Sequence, residues 1–180
     1  RLYSGKTLTI DSASLDNAAD GRIVGAETRL SAHETHTLTN RGLIDGGAVL
    51  IDAVTLNNLG SARLYGDHLA ISTRQLYNAP EAGNAPVIAA RERLDIGAAN
   101  IVNGEHALIF SAGDLAIGGA LDASQRATGQ ATTLDNTSAT IEALGDLSIS
   151  ASRIGNHNAH FETAVVALPA QQLVEYQGSG

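Results

Sequence analysis

Leu69-Ala70-Ile71-Ser72-Thr73-Arg74-Gln75-Leu76-Tyr77-Asn78 decides the fold. In an extended chain Leu69 and Ile71 fall on one side, Ala70 and Ser72 on the other. Leu76 and Asn78 follow at a fixed distance. The same spelling recurs along the chain. Leu-x-Ile-like pairs begin at Leu8, Leu30, Val49, Leu69, Leu94, Leu115 and Leu147. Apolar-x-Asn triplets end at Asn17, Asn40, Asn58, Asn78, Asn103, Asn136 and Asn156. Seven residues separate Ile10 from Asn17, Ile51 from Asn58, Ile71 from Asn78, Ile96 from Asn103 and Ile149 from Asn156. A recurrence near twenty residues makes the chain an array of similar units.

Each unit carries three short extended elements. Gly-Asp turns lead into the first, as at Gly113-Asp114 and Gly145-Asp146. The second is the apolar residue before each Asn, such as Thr55-Leu56 or Arg153-Ile154. Asn, often with a nearby Gly, tolerates left-handed backbone angles and marks a corner. The third follows it: Arg22-Ile23-Val24, Leu43-Ile44, Arg63-Leu64-Tyr65, Val87-Ile88, Ala107-Leu108-Ile109-Phe110, Thr140-Ile141 and His160-Phe161. Three strands and three corners per unit predict one coil of a parallel β-helix. A helical solenoid needs apolar residues at i, i+3, i+4 and i+7, and Gly or Asn interrupts every such run. The fold class expected is therefore all-β, a right-handed parallel β-helix of about seven coils. At ~4.8 Å per coil the rod is roughly 34 Å long.

The Asn-to-Asn step is 18 to 20 residues in the regular units, 25 from Asn78 to Asn103 and 33 from Asn103 to Asn136. The two long steps place insertions at Asn78–Pro86 and Asp122–Thr133, expected as loops projecting from one face. In the second unit Ala32 occupies the Ile position, with His33-Glu34-Thr35-His36 ahead of Leu38. The repeats are expected over residues 1–163. Residues 164–180 break the pattern, as a cap or a transition to another region.

Composition narrows function by exclusion. The net charge is −8 with no basic block, which disfavours phosphate backbones and anionic membranes. There is no Cys, so disulfide, zinc-thiolate and Cys-nucleophile chemistry is excluded. Lack of Cys also suits a chain threaded unfolded across an outer membrane. The apolar stretches at Ala85–Ala90 and Ala164–Ala170 are far shorter than the ~18 residues of a spanning helix.

The seven Asn residues, stacked coil on coil, are expected to form an amide ladder that satisfies the corners. Replacing Asn58 by Leu should cost ~1–3 kcal/mol. Replacing Asp122 or Gln125 should cost under ~0.5 kcal/mol, as at ordinary surface sites. His33/His36 and His157/His160 are close pairs, but a spacing of three puts them on opposite faces of a strand. Solvated histidine is the expected role, with no metal. Asp11, Asp20, Asp45, Asp52, Asp67, Asp95, Asp114 and Asp146 are dispersed, several in turns. Asn136-Thr137-Ser138 spells a glycosylation sequon but sits at a ladder position. With no Trp, four Tyr and two Phe, a polysaccharide lyase or hydrolase is disfavoured. No catalytic residue and no cofactor is expected.

The units L-x-I-x-(A/S)-x-x-(L/I)-x-N, with a short strand after each Asn, resemble filamentous haemagglutinin repeats over about Leu8–Thr163. Such repeats build the large exoproteins of bacterial two-partner secretion, including contact-dependent growth inhibition effectors of the CdiA type. Asn156–Thr163 followed by Val174-Glu175-Tyr176-Gln177-Gly178 is similar to the passage from repeat filament to receptor-binding region in that branch. The resemblance implies a filament on the surface of a Gram-negative cell. It further implies export through an outer-membrane transporter, and adhesion or carriage of a toxin toward target cells. A receptor or glycan is the implied partner of such an exoprotein. Two roles stay open: a stalk that projects another domain, and a surface that binds directly through the insertion loops.

Overall fold

The computed structural model describes residues 1–166, apart from the side chains of 33–36. Thirteen strands and no helix occur among the described residues, so no helix there is long and apolar enough to cross a membrane. Five long strands come first: β1 Leu2–Asn17, β2 Arg22–Asn40, β3 Leu43–Leu59, β4 Arg63–Ala79 and β5 Val87–Asn103. Each makes a whole coil, and each pairs parallel to the one before it. The sixth coil is broken into β6 Leu108–Ser111, β7 Asp114–Gly118 and β10 Ala131–Thr137. The small strands β8 Ala120–Leu121 and β9 Ala127–Thr128 lie in between. The seventh coil is β11 Thr140–Ala143, β12 Leu147–Ile149 and β13 Ala151–His157. The molecule is a β-solenoid of seven turns.

The period-two pattern explains the core. Val49, Leu69, Leu94, Leu115 and Leu147 pair in succession, as do Ile51, Ile71, Ile96, Ile117 and Ile149. A row of Leu15, Leu38, Leu56, Leu76, Ile101, Leu134 and Ile154 runs under the Asn corner. The strand after each Asn supplies Ile23, Ile44, Leu64, Ile88, Ile109 and Ile141. Most of these side chains are fully buried, the open ends excepted. Burying one such side chain is worth ~1.5–3 kcal/mol, and the rows repeat it coil after coil.

Register corrects the second unit. Leu30 pairs with Ile10 and Ile51, so Leu30 itself holds the Ile position. Thr28 pairs with Leu8 and Val49 and holds the Leu position. Thr28 is fully buried, and its hydroxyl donates to the Asp45 carbonyl at 3.1 Å. That bond lets a residue shaped like Val sit in a dry row. The surplus residues fall between Ala32 and Thr37, where the register shifts. Two boundaries also move. The first coil starts at Leu2 rather than Leu8, and no strand forms at His160–Phe161, where Phe161 is 75% exposed.

Both insertions fold back onto the rod instead of projecting. Residues Pro80–Pro86 make a tight turn in which Glu81 and Asn84 exchange two backbone bonds of 3.0 Å. Arg41, two coils back, grips Glu81 through Nε at 2.6 Å and Nη2 at 2.9 Å. The second insertion is the antiparallel β8–β9 hairpin, laid on the outer wall of β4 and β5. Small wall residues make room for it. A Cβ on Gly97 would come within 2.3 Å of the Ala120 carbonyl carbon. Asp122 is not an ordinary surface site either. Its Oδ1 accepts from the Ser124 and Arg126 backbone N–H groups at 2.8 and 2.9 Å, closing the hairpin turn.

Candidate functional site

Every coil ends its second strand on an Asn whose side chain faces inward at the corner. Alternation forces this, because the residue two before it is a core Leu or Ile. Asn17 Nδ2 donates to Asn40 Oδ1 at 2.8 Å. Asn40 donates to Asn58 at 2.9 Å, Asn58 to Asn78 at 2.8 Å and Asn78 to Asn103 at 2.8 Å. Asn103 donates to Asn136 and Asn136 to Asn156, both at 2.8 Å. The seven amides thus form one chain of hydrogen bonds with a single direction. Donors point toward the C-terminal coil and acceptors toward the N-terminal coil.

The second amide hydrogen is used as well. Asn17, Asn58, Asn78 and Asn103 donate it to the carbonyls of Leu43, Val87, Leu108 and Thr140, each at the start of the coil after next. Asn136 gives its own to the Ala139 carbonyl. Asn40, Asn58, Asn78 and Asn103 have no exposed surface. A buried amide with this much donor and acceptor capacity is tolerable only when all of it is used.

A second buried polar centre has no local signature in the repeat pattern. Asp95 stands between Leu94 and Ile96 and therefore points outward, where neighbouring coils carry Ala70 and Ala116. It is nevertheless fully buried, because the β8–β9 hairpin covers it. Arg93 holds its carboxylate by two bonds of 2.8 and 3.1 Å, and His68 Nε2 lies 3.0 Å away. The backbone N–H of Ala127 donates to it at 2.9 Å, and Arg126 Nη1 stands at 3.7 Å. Only the Arg91-Glu92-Arg93 stretch hinted at local charge. The covering hairpin comes from residues far along the chain, beyond the reach of any local pattern.

Other charges also pair along the rod axis. Arg91 takes both Asp45 oxygens at 2.9 Å and Asp67 at 3.0 Å, so it ties together coils three to five. These bonds raise its pKa. Asp45, Asp67, Asp95 and Asp114 are thereby each committed to an arginine. The Arg41 guanidinium holds the exposed Glu81 carboxyl below its ordinary range. A lowered folded pKa contributes stability above the unfolded value of about 4.3, lost as pH falls through the folded value. The Pro80–Pro86 turn should therefore loosen below about pH 4.3. Faster exchange of the Gly60 N–H, which donates to the Ala79 carbonyl, would report it. An exchange profile for Gly60 that follows base catalysis alone down to acid pH would contradict it.

The histidine pairs lead apart. His160 Nε2 meets Glu105 at 2.6 Å, whereas His157 Nε2 lies 3.4 Å from the Thr137 hydroxyl. The side chains of His33 and His36 lie outside the described residues. No group of three His, Asp or Glu side chains able to hold a metal ion occurs among the described residues. On the outer wall Tyr65, Ala89, Arg91 and Phe110 line an open, mainly apolar groove of about 310 Å³.

Compared with protein-family models, with curated proteins and with solved structures, the chain finds no match in any of the three.

Proposed function

We propose that this chain is a rigid structural segment of a cell-surface filament, exported by two-partner secretion from a Gram-negative bacterium. Its task is to hold an adhesive or toxin-delivering region away from the cell and toward a target. One observation carries the reading: the amide ladder runs without a break through all seven coils. Two folded-back insertions and the Arg41 and Arg91 bridges add ties along the same axis. A rod braced lengthwise suits transmission of distance. We infer no catalysis, since Asp45, Asp67, Asp95, Asp114 and Glu81 are each held by an arginine. The repeat spelling supports the place in a secreted exoprotein, with an outer-membrane transporter as its export partner.

A second reading, direct binding of a receptor or glycan, is favoured by the Tyr65–Phe110 groove rather than by the insertion loops. Excision separates the two. Leu43 pairs with Arg63, so removing Leu43–Ala62 deletes one coil and keeps register. As a spacer, the filament keeps adhesion or delivery after this deletion and after Tyr65→Ala with Phe110→Ala. Loss of adhesion in the double variant, with its melting temperature unchanged, would transfer the function to the groove. Absence of the segment from the outside of intact cells, probed by antibody, would end the surface reading.

A further inference from the structure

We infer, resting on the binding reading of the groove, that Tyr65, Ala89 and Phe110 form a slot for one arginine side chain of a partner protein. Register is the first observation. Tyr65 pairs with Ala89 and Ala89 with Phe110, so the three stand in one row across the fourth, fifth and sixth coils. Alternation turns them outward, because their neighbours Leu64, Ile88 and Ile109 are in the core. At ~4.8 Å per coil the two aromatic residues stand about 9.6 Å apart. The layer between them holds only the Ala89 methyl group. A flat group set over Ala89 would lie about 4.8 Å from each ring, inside the ~6 Å reach of a cation–π contact. The gap takes one flat layer and no more.

Charge is the second observation. Two carboxylates, Asp45 and Asp67, answer the single Arg91 guanidinium at the edge of the groove, so that flank carries a surplus negative charge. On the other flank Glu142 pairs in register with Phe110. It is exposed and has no ion pair among the described residues. Arg63, on the same strand as Tyr65, donates to the Ala62 and Ala85 carbonyls on the corner side of the wall. The whole chain carries a net charge of −8. A slot with aromatic sides and acidic flanks is complementary to a cation.

Arginine fits both observations at once. Its guanidinium is planar and stacks on aromatic faces, and it sheds water more readily than an ammonium does. Its fork of N–H donors matches a carboxylate, here Glu142 one coil beyond Phe110. A lysine would supply the charge without the flat layer, and an aromatic ring the layer without the charge.

The probe is a blocked Gly-Arg-Gly peptide, added to the whole chain and followed by NMR. With two Phe and four Tyr in the chain, the ring signals are few enough to assign. The peptide should shift the Tyr65 and Phe110 rings and the Ala89 methyl to saturation, less so as salt is raised. Phe110→Ala should weaken binding roughly tenfold. Glu142→Gln, at an exposed site, should weaken it about threefold. Ala89→Tyr is the decisive variant, because it fills the empty layer from within. It should abolish binding with no fall in melting temperature. Equal binding of the same peptide with citrulline, phenylalanine or lysine in place of arginine would overturn the assignment. So would tighter binding of a methyl glycoside, or full binding by Ala89→Tyr. Loss of adhesion in the Tyr65→Ala/Phe110→Ala variant without any arginine binding would leave the groove as the binding site and discard arginine as its ligand.

Discussion

Asp95→Ala should lower the stability of this rod by about 3 kcal/mol, the lower end of the cost of breaking a buried ion pair. The carboxylate has no exposed surface and collects Arg93, His68 and the Ala127 N–H. Alanine would leave these donors without an acceptor. Arg93 and His68 are each about a quarter exposed, so water recovers part of the loss, which is why the upper end of the range is not reached. The Ala127 N–H should exchange faster as the hairpin lifts from β5. Asp114→Ala is the control: its half-exposed pair with Arg93 should be worth less than 1 kcal/mol. Equal denaturation midpoints for Asp95→Ala and the unmodified chain would show that the hairpin is held by packing alone.

Asn58→Leu should cost at least as much, about 3 kcal/mol or more, with similar volume and no cavity. It strips the acceptor from Asn40 Nδ2 and the donors from Asn78 Oδ1 and the Val87 carbonyl. Each buried group left without a partner costs ~1–3 kcal/mol. That exceeds the ~1–3 kcal/mol expected from sequence for the whole substitution, because three partners are affected. Asn57→Leu, next along the strand, is the comparison. Its side chain lies outside and reaches only Thr39 Oγ1 at 3.4 Å. Matched urea midpoints for Asn57→Leu and Asn58→Leu would deny the ladder its structural weight.

The coil was legible because its signals are local. Alternation fixes which of Leu69, Ala70 and Ile71 points inward, and the spacing to Asn78 fixes the corner. The second coil was misassigned for a physical reason. A buried Thr can replace Val when its hydroxyl finds a carbonyl, and hydropathy does not see the Asp45 carbonyl that Thr28 uses. The insertions were legible as surplus length but not as packing. Whether a loop projects or folds back depends on the wall it meets, here Gly97 and Ala70 for the hairpin and Arg41 for the Glu81 turn. Asp95 was counted among dispersed acids because its burial is imposed from 25 to 32 residues downstream, by Ala120–Ala127.

The amide ladder itself can be observed directly by NMR of protein labelled at asparagine side chains. The predicted result is a relay of contacts from Asn17 through Asn40, Asn58, Asn78, Asn103 and Asn136 to Asn156, with slowly exchanging amide protons on the buried members. Rapid exchange of Asn40, Asn58, Asn78 and Asn103, matching exposed Asn84, with no contacts between successive amides, would contradict the rod as described.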